Sequence, residues 1–467
     1  MKCLLGIVLL NVLWNSLYAQ NWSVLASGVP FTVLSIYGDS SENLLYVGGG
    51  YSLDGSFRVW DGFLWSDMNY PSNAEPISEI TRFKDNIYIG GGFNFMDTVL
   101  CKGLVKWDGQ VWDTVTTQVD DGSLWYGGIS GLLSTDSFLY VLGSFDSINH
   151  VISPGIIKYD GINWFTVGDF ENSFPGGATA DIFSCAAIYN DEIYVGGNYH
   201  DSSGHTHRIA KFDGENWSDV GQGINGSFAG VEDLQVYQGE LYAAGTFTKA
   251  EGDPGDFIAK WNGSQWSEVG LGMAGLSPTY NNGQVHDLYV YNNELYACGV
   301  FHYAGGVPAL YVAKWNGSQW CGFGDTLDNV SIALGSFNGE LFMGGGFKVI
   351  ATNSIETGDS INHIAKWIGG NFTDTCGITV GINQIPQYDT SLSVYPNPAR
   401  DQVHLSYSLA LSSKVTLSIT NLMGEKVLIE ALLTADAVLD ISKLPAGVYF
   451  ICLKKENGSV VRKFIKQ

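Results

Sequence analysis

The hydrophobic positions of this chain are organised by one pair of aromatic rings with four residues between them, carried seven times. The pairs are Trp60 and Trp65, Trp107 and Trp112, Tyr159 and Trp164, Phe212 and Trp217, Trp261 and Trp266, Trp315 and Trp320, and a worn copy, Trp367 and Phe372. Copies follow one another at intervals of 47 to 54 residues, a period that marks repeat architectures. Asp-Gly or Asn-Gly fills the centre of six of the seven copies, which predicts a hairpin with a type I′ turn. With Asn262 and Gly263 as that turn, Trp261 pairs with Ser264 and Lys260 with Gln265. The two indoles then share one face as diagonal neighbours. The same register sets Lys158 against Asn163, Lys211 against Asn216 and Lys314 against Gln319. This recurrent lysine–amide row is read as structural, its aliphatic stems packing between sheets.

A second phrase precedes each hairpin, at 45–51, 87–93, 139–145, 193–199, 241–247, 295–301 and 341–347. Its fifth place is always glycine: Gly49, Gly91, Gly143, Gly197, Gly245, Gly299 and Gly345. These runs are apolar or small on both faces, as in a sheet covered on both sides. A glycine inside them predicts the close approach of another backbone or of a large ring. A further strand comes first, such as Val231-Glu232-Asp233-Leu234-Gln235-Val236-Tyr237. Four antiparallel strands per unit and seven units predict an all-β, seven-bladed β-propeller with Trp and Tyr filling the wedges between blades. The glycine phrase followed by an aromatic pair resembles the kelch repeat over residues 22–376. Several copies (Gly143, Gly245, Gly299) keep one glycine where kelch units carry two, so the resemblance supports architecture and nothing chemical. Asn21-Trp22-Ser23-Val24 echoes Asn216-Trp217-Ser218-Asp219 as an outermost strand without its three predecessors. It is expected to close the ring beside Trp367, with the Phe372 segment displaced or added at the rim.

The N-terminus carries an address. Lys2, the apolar run 4–13 and Leu17-Tyr18-Ala19 fit a signal peptide (1–19) cleaved between Ala19 and Gln20. No stretch is long enough for a membrane-spanning helix. Six cysteines follow: Cys101, Cys185, Cys298, Cys321, Cys376 and Cys452. Their spacing shows no framework, though Cys321 and Cys376 sit near the ends of adjacent repeats, where a bridge fits.

Repeats stop near residue 380, and a linker (381–391) leads to 392–467. Here Val415, Leu417 and Ile419 alternate with polar residues, and turns at Asn421 to Glu425 and Glu456-Asn457-Gly458 predict a small Ig-like antiparallel β-sandwich of about seven strands. Tyr395-Pro396-Asn397-Pro398 at its start, Leu444-x-x-Gly447-x-Tyr449 in its middle and a basic last strand containing Lys463 resemble the type A C-terminal sorting domain of the type IX secretion system of Bacteroidota. The resemblance implies passage to the periplasm, recognition by the outer-membrane translocon, and secretion or attachment at the cell surface. Five triplets, among them Asp113-Thr114-Val115 and Asp146-Ser147-Ile148, resemble the O-glycosylation acceptor of the same phylum.

Charge and motifs then narrow the function. The sorting region holds nine Lys/Arg against six Asp/Glu, and the rest of the chain 14 against 41, a net −27. Such a body repels nucleic acid and anionic membrane surfaces. Gly221-x-Gly223-x-x-Gly226 and Gly270-x-Gly272-x-x-Gly275 match a dinucleotide pattern, but each leads into a strand, so no helix N-terminus receives a pyrophosphate. His200, His205 and His207 are read as a polar loop, and the 251–256 loop lacks the ligand register of a calcium site. No catalytic, cofactor-binding or metal-ligating set is assigned, and no cofactor is expected. The favoured function is a non-enzymatic binding or adhesion module for a glycan or protein. The alternative is a secreted polysaccharide hydrolase or lyase working at the propeller funnel. Acids, His or Tyr converging on the central channel would favour the enzyme, and loops with exposed aromatics and no perturbed acids the binder.

Overall fold

In the computed structural model the chain divides into two compact units, 1–377 and 378–467. The structure describes residues 22–367 apart from 51–55, 69–75, 98, 121–127, 174–177, 202–205, 225–229, 250–251, 276–282, 324–325, 352–358 and 361. In the second unit it describes 393–467 apart from 407–414, 422–425, 433–435 and 456–457. The Ala19–Gln20 cleavage, the linker and the placements of Phe372 and Cys376 lie outside these residues.

The first unit is a seven-bladed propeller of four-stranded antiparallel sheets. The first strands run Thr32–Asp39, Ile77–Phe83, Gly128–Ser134, Ala178–Tyr189, Val231–Tyr237, Gln284–Tyr291 and Ser331–Phe337, in blades 1 to 7. Each packs against the next, and that of blade 7 packs against that of blade 1, so the ring is closed. Blade 7 takes its outermost strand, Trp22–Val24, from the start of the chain, with Trp22 opposite Trp367.

The seven recurrent glycines are explained by the crossing of two strands. A Cβ on Gly49, Gly91, Gly143, Gly197, Gly245, Gly299 or Gly345 would lie 1.8 to 2.3 Å from a carbonyl oxygen at the start of the same blade's first strand. No side chain fits there. Beside them, the second-strand positions Gly48, Gly90, Gly196 and Gly344 receive Ile77, Ile129, Val231 and Val33 from the first strand of the next blade. Small residues in one sheet thus admit branched ones from its neighbour, the interlocking that gives protein interiors their density.

The hairpin register differs from the expectation. Trp261 lies directly opposite Trp266, and Lys260 opposite Ser267. The connection is a four-residue loop in which Asn262 Oδ1 accepts the backbone N–H of Ser264 and of Gln265, both at 2.9 Å. Asp61, Asp108, Asp160, Asp213 and Asn316 do the same in their own loops. Only the glycine takes a positive φ (Gly263, +96°), so the Asx residue is selected for its side-chain acceptor and not for a left-handed backbone. The lysines consequently do not face amides. Lys211, Lys260, Lys314 and Lys366 pair with Glu192, Glu240, Glu294 and Glu340 at the start of the second strand, at 2.6 to 3.1 Å. Lys158 instead sits 4.9 Å over the Phe138 ring.

Paired indoles have different tasks. Ring centroids within a pair lie 4.6 to 5.4 Å apart. The second indole reaches back to the preceding blade. Trp65, Trp217, Trp266 and Trp320 donate Nε1–H to the carbonyls of Leu25, Val167, Val220 and Val269, at 2.7 to 3.1 Å. Each accepting carbonyl lies three residues past the second aromatic of the blade before. The motif is therefore a latch from blade to blade.

Among its described residues the second unit carries seven strands in two antiparallel sheets, Ser393–Tyr395, Gln402–Ser406 and Asp436–Asp440 in one, and Lys426–Leu432, Val415–Asn421, Gly447–Lys455 and Gly458–Lys466 in the other. Leu405, Leu417, Ile419, Ile451 and Phe464 are among the residues of its core. Cys101, Cys185 and Cys298 are buried, and Cys321 is disulfide-bonded.

Candidate functional site

A cavity of about 640 Å³ occupies the centre of the ring and is lined by the first strands of all seven blades. Every first strand carries a one-residue bulge near its start, which bends the strand and re-aims the side chains beside it. The residue just past the bulge is Ser35, Glu79, Gly131, Cys185, Asp233, Asp287 and Ala333 around the ring. Three carboxyls at these places therefore enter one channel, which Glu232 also lines. These residues were not singled out in the sequence, because no repeat pattern holds them. The available signal was an acid immediately before the core residue of a first strand, as in Glu79-Ile80, Asp233-Leu234 and His286-Asp287-Leu288.

Each carboxyl has a structural attachment. Asp233 Oδ2 accepts the N–H of Leu288 in the next blade at 2.8 Å, and Asp287 Oδ2 accepts that of Leu334 at 2.6 Å. Asp233 and Asp287 also share a hydrogen bond. Glu79 bonds to Ser35 and to the N–H of Ile80. Although the channel admits water to part of their surface, protein surrounds all three. Burial pushes Glu79 up to about 8 and Asp233 up to about 6. Asp287 is raised well above the usual carboxyl range by burial, and by Asp233 beside it. Glu232 is held by His286 Nδ1 at 2.8 Å and by Gln284. Among the described residues, no group of three or more His, Cys, Asp or Glu is arranged to hold a metal.

The histidine loop is largely strand. The second and third strands of blade 4 run Glu192–Asp201 and Thr206–Phe212, with Tyr199 opposite His207. The two rings stack at 5.1 Å, and Tyr199 donates to Asp219 at 2.5 Å. The side chains of His200 and His205 lie outside the described residues.

Hairpin tips on one face distinguish the blades. In blades 1 to 3 the tips expose Phe63 (83 %), Leu64 (69 %), Val111 (59 %) and Ile162 (82 %). The equivalent places in blades 4 to 6 are Glu215, Asn216, Ser264, Gln265, Ser318 and Gln319. Contact of Lys84, in the first turn of blade 2, with the carbonyl of Asp160 ties neighbouring tips together on that face.

In the second unit the quoted motif is one connected arrangement. Asn397 donates Nδ2–H to the Lys463 carbonyl at 3.2 Å, and its Oδ1 accepts Ile465 N–H at 2.9 Å. Ala399 and Gln467 continue the contact through N–H bonds to Ile465 and Ala399 carbonyls, both at 2.8 Å. The peptide bonds before Pro396 and Pro398 are cis. Tyr395 stacks on His404 at 5.5 Å, and Tyr449 packs on Phe464 at 5.6 Å while donating to the Pro445 carbonyl at 2.9 Å. The first and last segments of the domain thus hold one another through the Asn397 side chain and the Ala399 backbone. Gly447 opens the strand that carries Tyr449.

Residues 393–467 match the family described as a secretion system C-terminal sorting domain. No curated protein matches the chain. Among solved structures it is similar to PorZ, a surface component of the type-IX secretion system of Porphyromonas gingivalis, at 14% identity and a TM-score of 0.46, over 95% of this chain and 61% of that one. The chain therefore spans about three fifths of that protein's length. It is also similar to YCF48 bound to D1 peptide, at 12% identity and a TM-score of 0.43 over 76% of this chain and 97% of that one. A GH74 enzyme of Niastella koreensis gives 12% and 0.43, over 95% and 74%. No helix among the described residues is long and apolar enough to cross a membrane.

Proposed function

We propose that this protein, a propeller carrying a type IX secretion sorting domain that marks it for the cell surface or medium, is a non-enzymatic binding module. The observation behind this reading is the run of exposed Phe63, Leu64, Val111 and Ile162 on consecutive tips, where the remaining described blades present polar residues. Exposed apolar groups gathered on one face mark interaction sites, and aliphatic and phenyl groups suit a protein partner. The channel acids weigh less, because backbone and serine groups already engage them. Segment 1–19 would act as signal peptide, leaving a propeller over 20–380 and a sorting domain over 392–467. The kelch likeness belongs to the same proposal. An N-terminal sequence of the exported protein that begins at Gln20 supports the cleavage.

The test is retention of the exported protein on the cell surface or on a partner captured from it. The combined variant Phe63→Ser, Leu64→Gln, Val111→Gln and Ile162→Ser is expected to abolish retention with export and melting unchanged. Undiminished retention would refute the reading. Glu79, Asp233 and Asp287 support a second one, a polysaccharide hydrolase or lyase in the funnel, since raised carboxyl pKa values suit general acids. Cleavage of any polysaccharide that is lost in Glu79→Gln and Asp233→Asn would establish it.

A further inference from the structure

We propose that the groove between blades 4 and 5 is a binding site for a neutral oligosaccharide, distinct in its place around the ring and in its ligand from the apolar tips of blades 1 to 3. The groove encloses about 650 Å³, within the roughly 300–1,000 Å³ of small-ligand sites. Its floor is Trp266, only partly buried. Its walls include Gln222 from the exit of blade 4, Asp253 and Pro254 from the loop of blade 5, and Ser264 and Gln265 from the hairpin.

Three features fit a saccharide. First, the latch from Trp266 Nε1 to Val220 at 3.0 Å fixes the indole before any ligand arrives. A ring whose N–H is already satisfied offers its face to the C–H side of a pyranose without stripping water from that N–H. Second, amides and a hydroxyl supply donors and acceptors together, which is what a sugar hydroxyl requires. Third, no described lining residue is cationic, and the net −27 of residues 1–391 disfavours an anionic polymer.

The groove is not an automatic product of the repeat. Between blades 3 and 4 the helix Phe170–Ser173 fills the space, with Phe170 5.3 Å from Trp217, which is 1 % exposed. In blade 6 the backbone at Gly305 covers Trp320, itself 3 % exposed. The blade 4–5 junction has been left open.

The test is calorimetric titration of the full-length protein with cellohexaose, xylohexaose, mannohexaose and maltohexaose. One of the four is expected to bind at a stoichiometry of one. Gln265→Ala should weaken it about 3- to 10-fold, the loss of a hydrogen bond or two, with no change in melting temperature. Trp266→Phe should weaken it as well. Phe63→Ser should leave it unchanged, so failure here is separable from failure of the apolar-tip reading. Silence from all four sugars, indifference to Gln265→Ala and Trp266→Phe, or sensitivity to Phe63→Ser would each overturn the proposal.

Discussion

The junction of blades 1 and 2 and that of blades 4 and 5 share one plan but offer different walls. Both are floored by a tandem indole pair, Trp107 with Trp112 and Trp261 with Trp266, and both are walled by the previous blade's exit, the middle loop and the hairpin tip. At the first junction Met68, Val99 and Val111 stand beside Asp67, Asp97 and Gln110 around a space of about 340 Å³. At the second, Gln222, Pro254 and Gln265 line the wall, Gln265 standing at the place of Val111. The comparison separates two kinds of sequence information. Indoles, Asx residues and crossing glycines recur because they build the ring. The residues between them are free to vary, and they decide what each junction meets.

The largest effect should come from the shared plan. Gly245→Val places a Cβ where the Gly230 carbonyl stands, 1.8 Å away, and is expected to cost more than about 3 kcal/mol or to prevent folding, read by thermal unfolding. Both junctions should be lost together.

Next is pH. Burial keeps Glu79 protonated in the folded ring up to about 8 and Asp233 up to about 6, whereas unfolded carboxyls ionise near pH 4. Between those limits the folded chain holds more protons than the unfolded one. The stabilisation is full below about pH 4 and is lost as pH rises through about 6 and then about 8. Melting temperature should decline over that range, and Glu79→Gln should flatten the upper part. A profile unchanged by that substitution would show the carboxyl to be ionised in the folded state.

Smaller is the latch. Trp266→Phe leaves the Val220 carbonyl without its indole donor and is expected to cost about 1–3 kcal/mol in denaturant titration. Removing the Asx acceptor by Asn262→Ala should cost about 1 kcal/mol. Smallest is Lys260→Met. Its bond to Glu240 is partly exposed, so stability should move by no more than about 0.5 kcal/mol, and a larger loss would give the lysine row a weight this structure does not.

What sequence disclosed follows the same division. The seven units, the ring-closing role of Trp22 and the close approach at each glycine were legible because repetition amplifies them. Hairpin register was not, since Asp-Gly and Asn-Gly serve both a type I′ turn and an Asx loop, and the choice rests on which oxygen takes the free N–H groups. The partner of Lys260 was missed because Glu240 lies twenty residues back and meets it only across the sheet. Nor could the channel acids be found by periodicity. They sit in three blades out of seven, and the bulge that brings them together lies opposite a glycine common to all seven blades, which does not distinguish the acid-bearing ones.

Because Trp22 and Trp367 stand opposite each other, the ring's incoming and outgoing chain both belong to blade 7. A tether attached through the carboxyl end would therefore hold the disc by a single petal. Cropping either strand from the ring would undo the clasp.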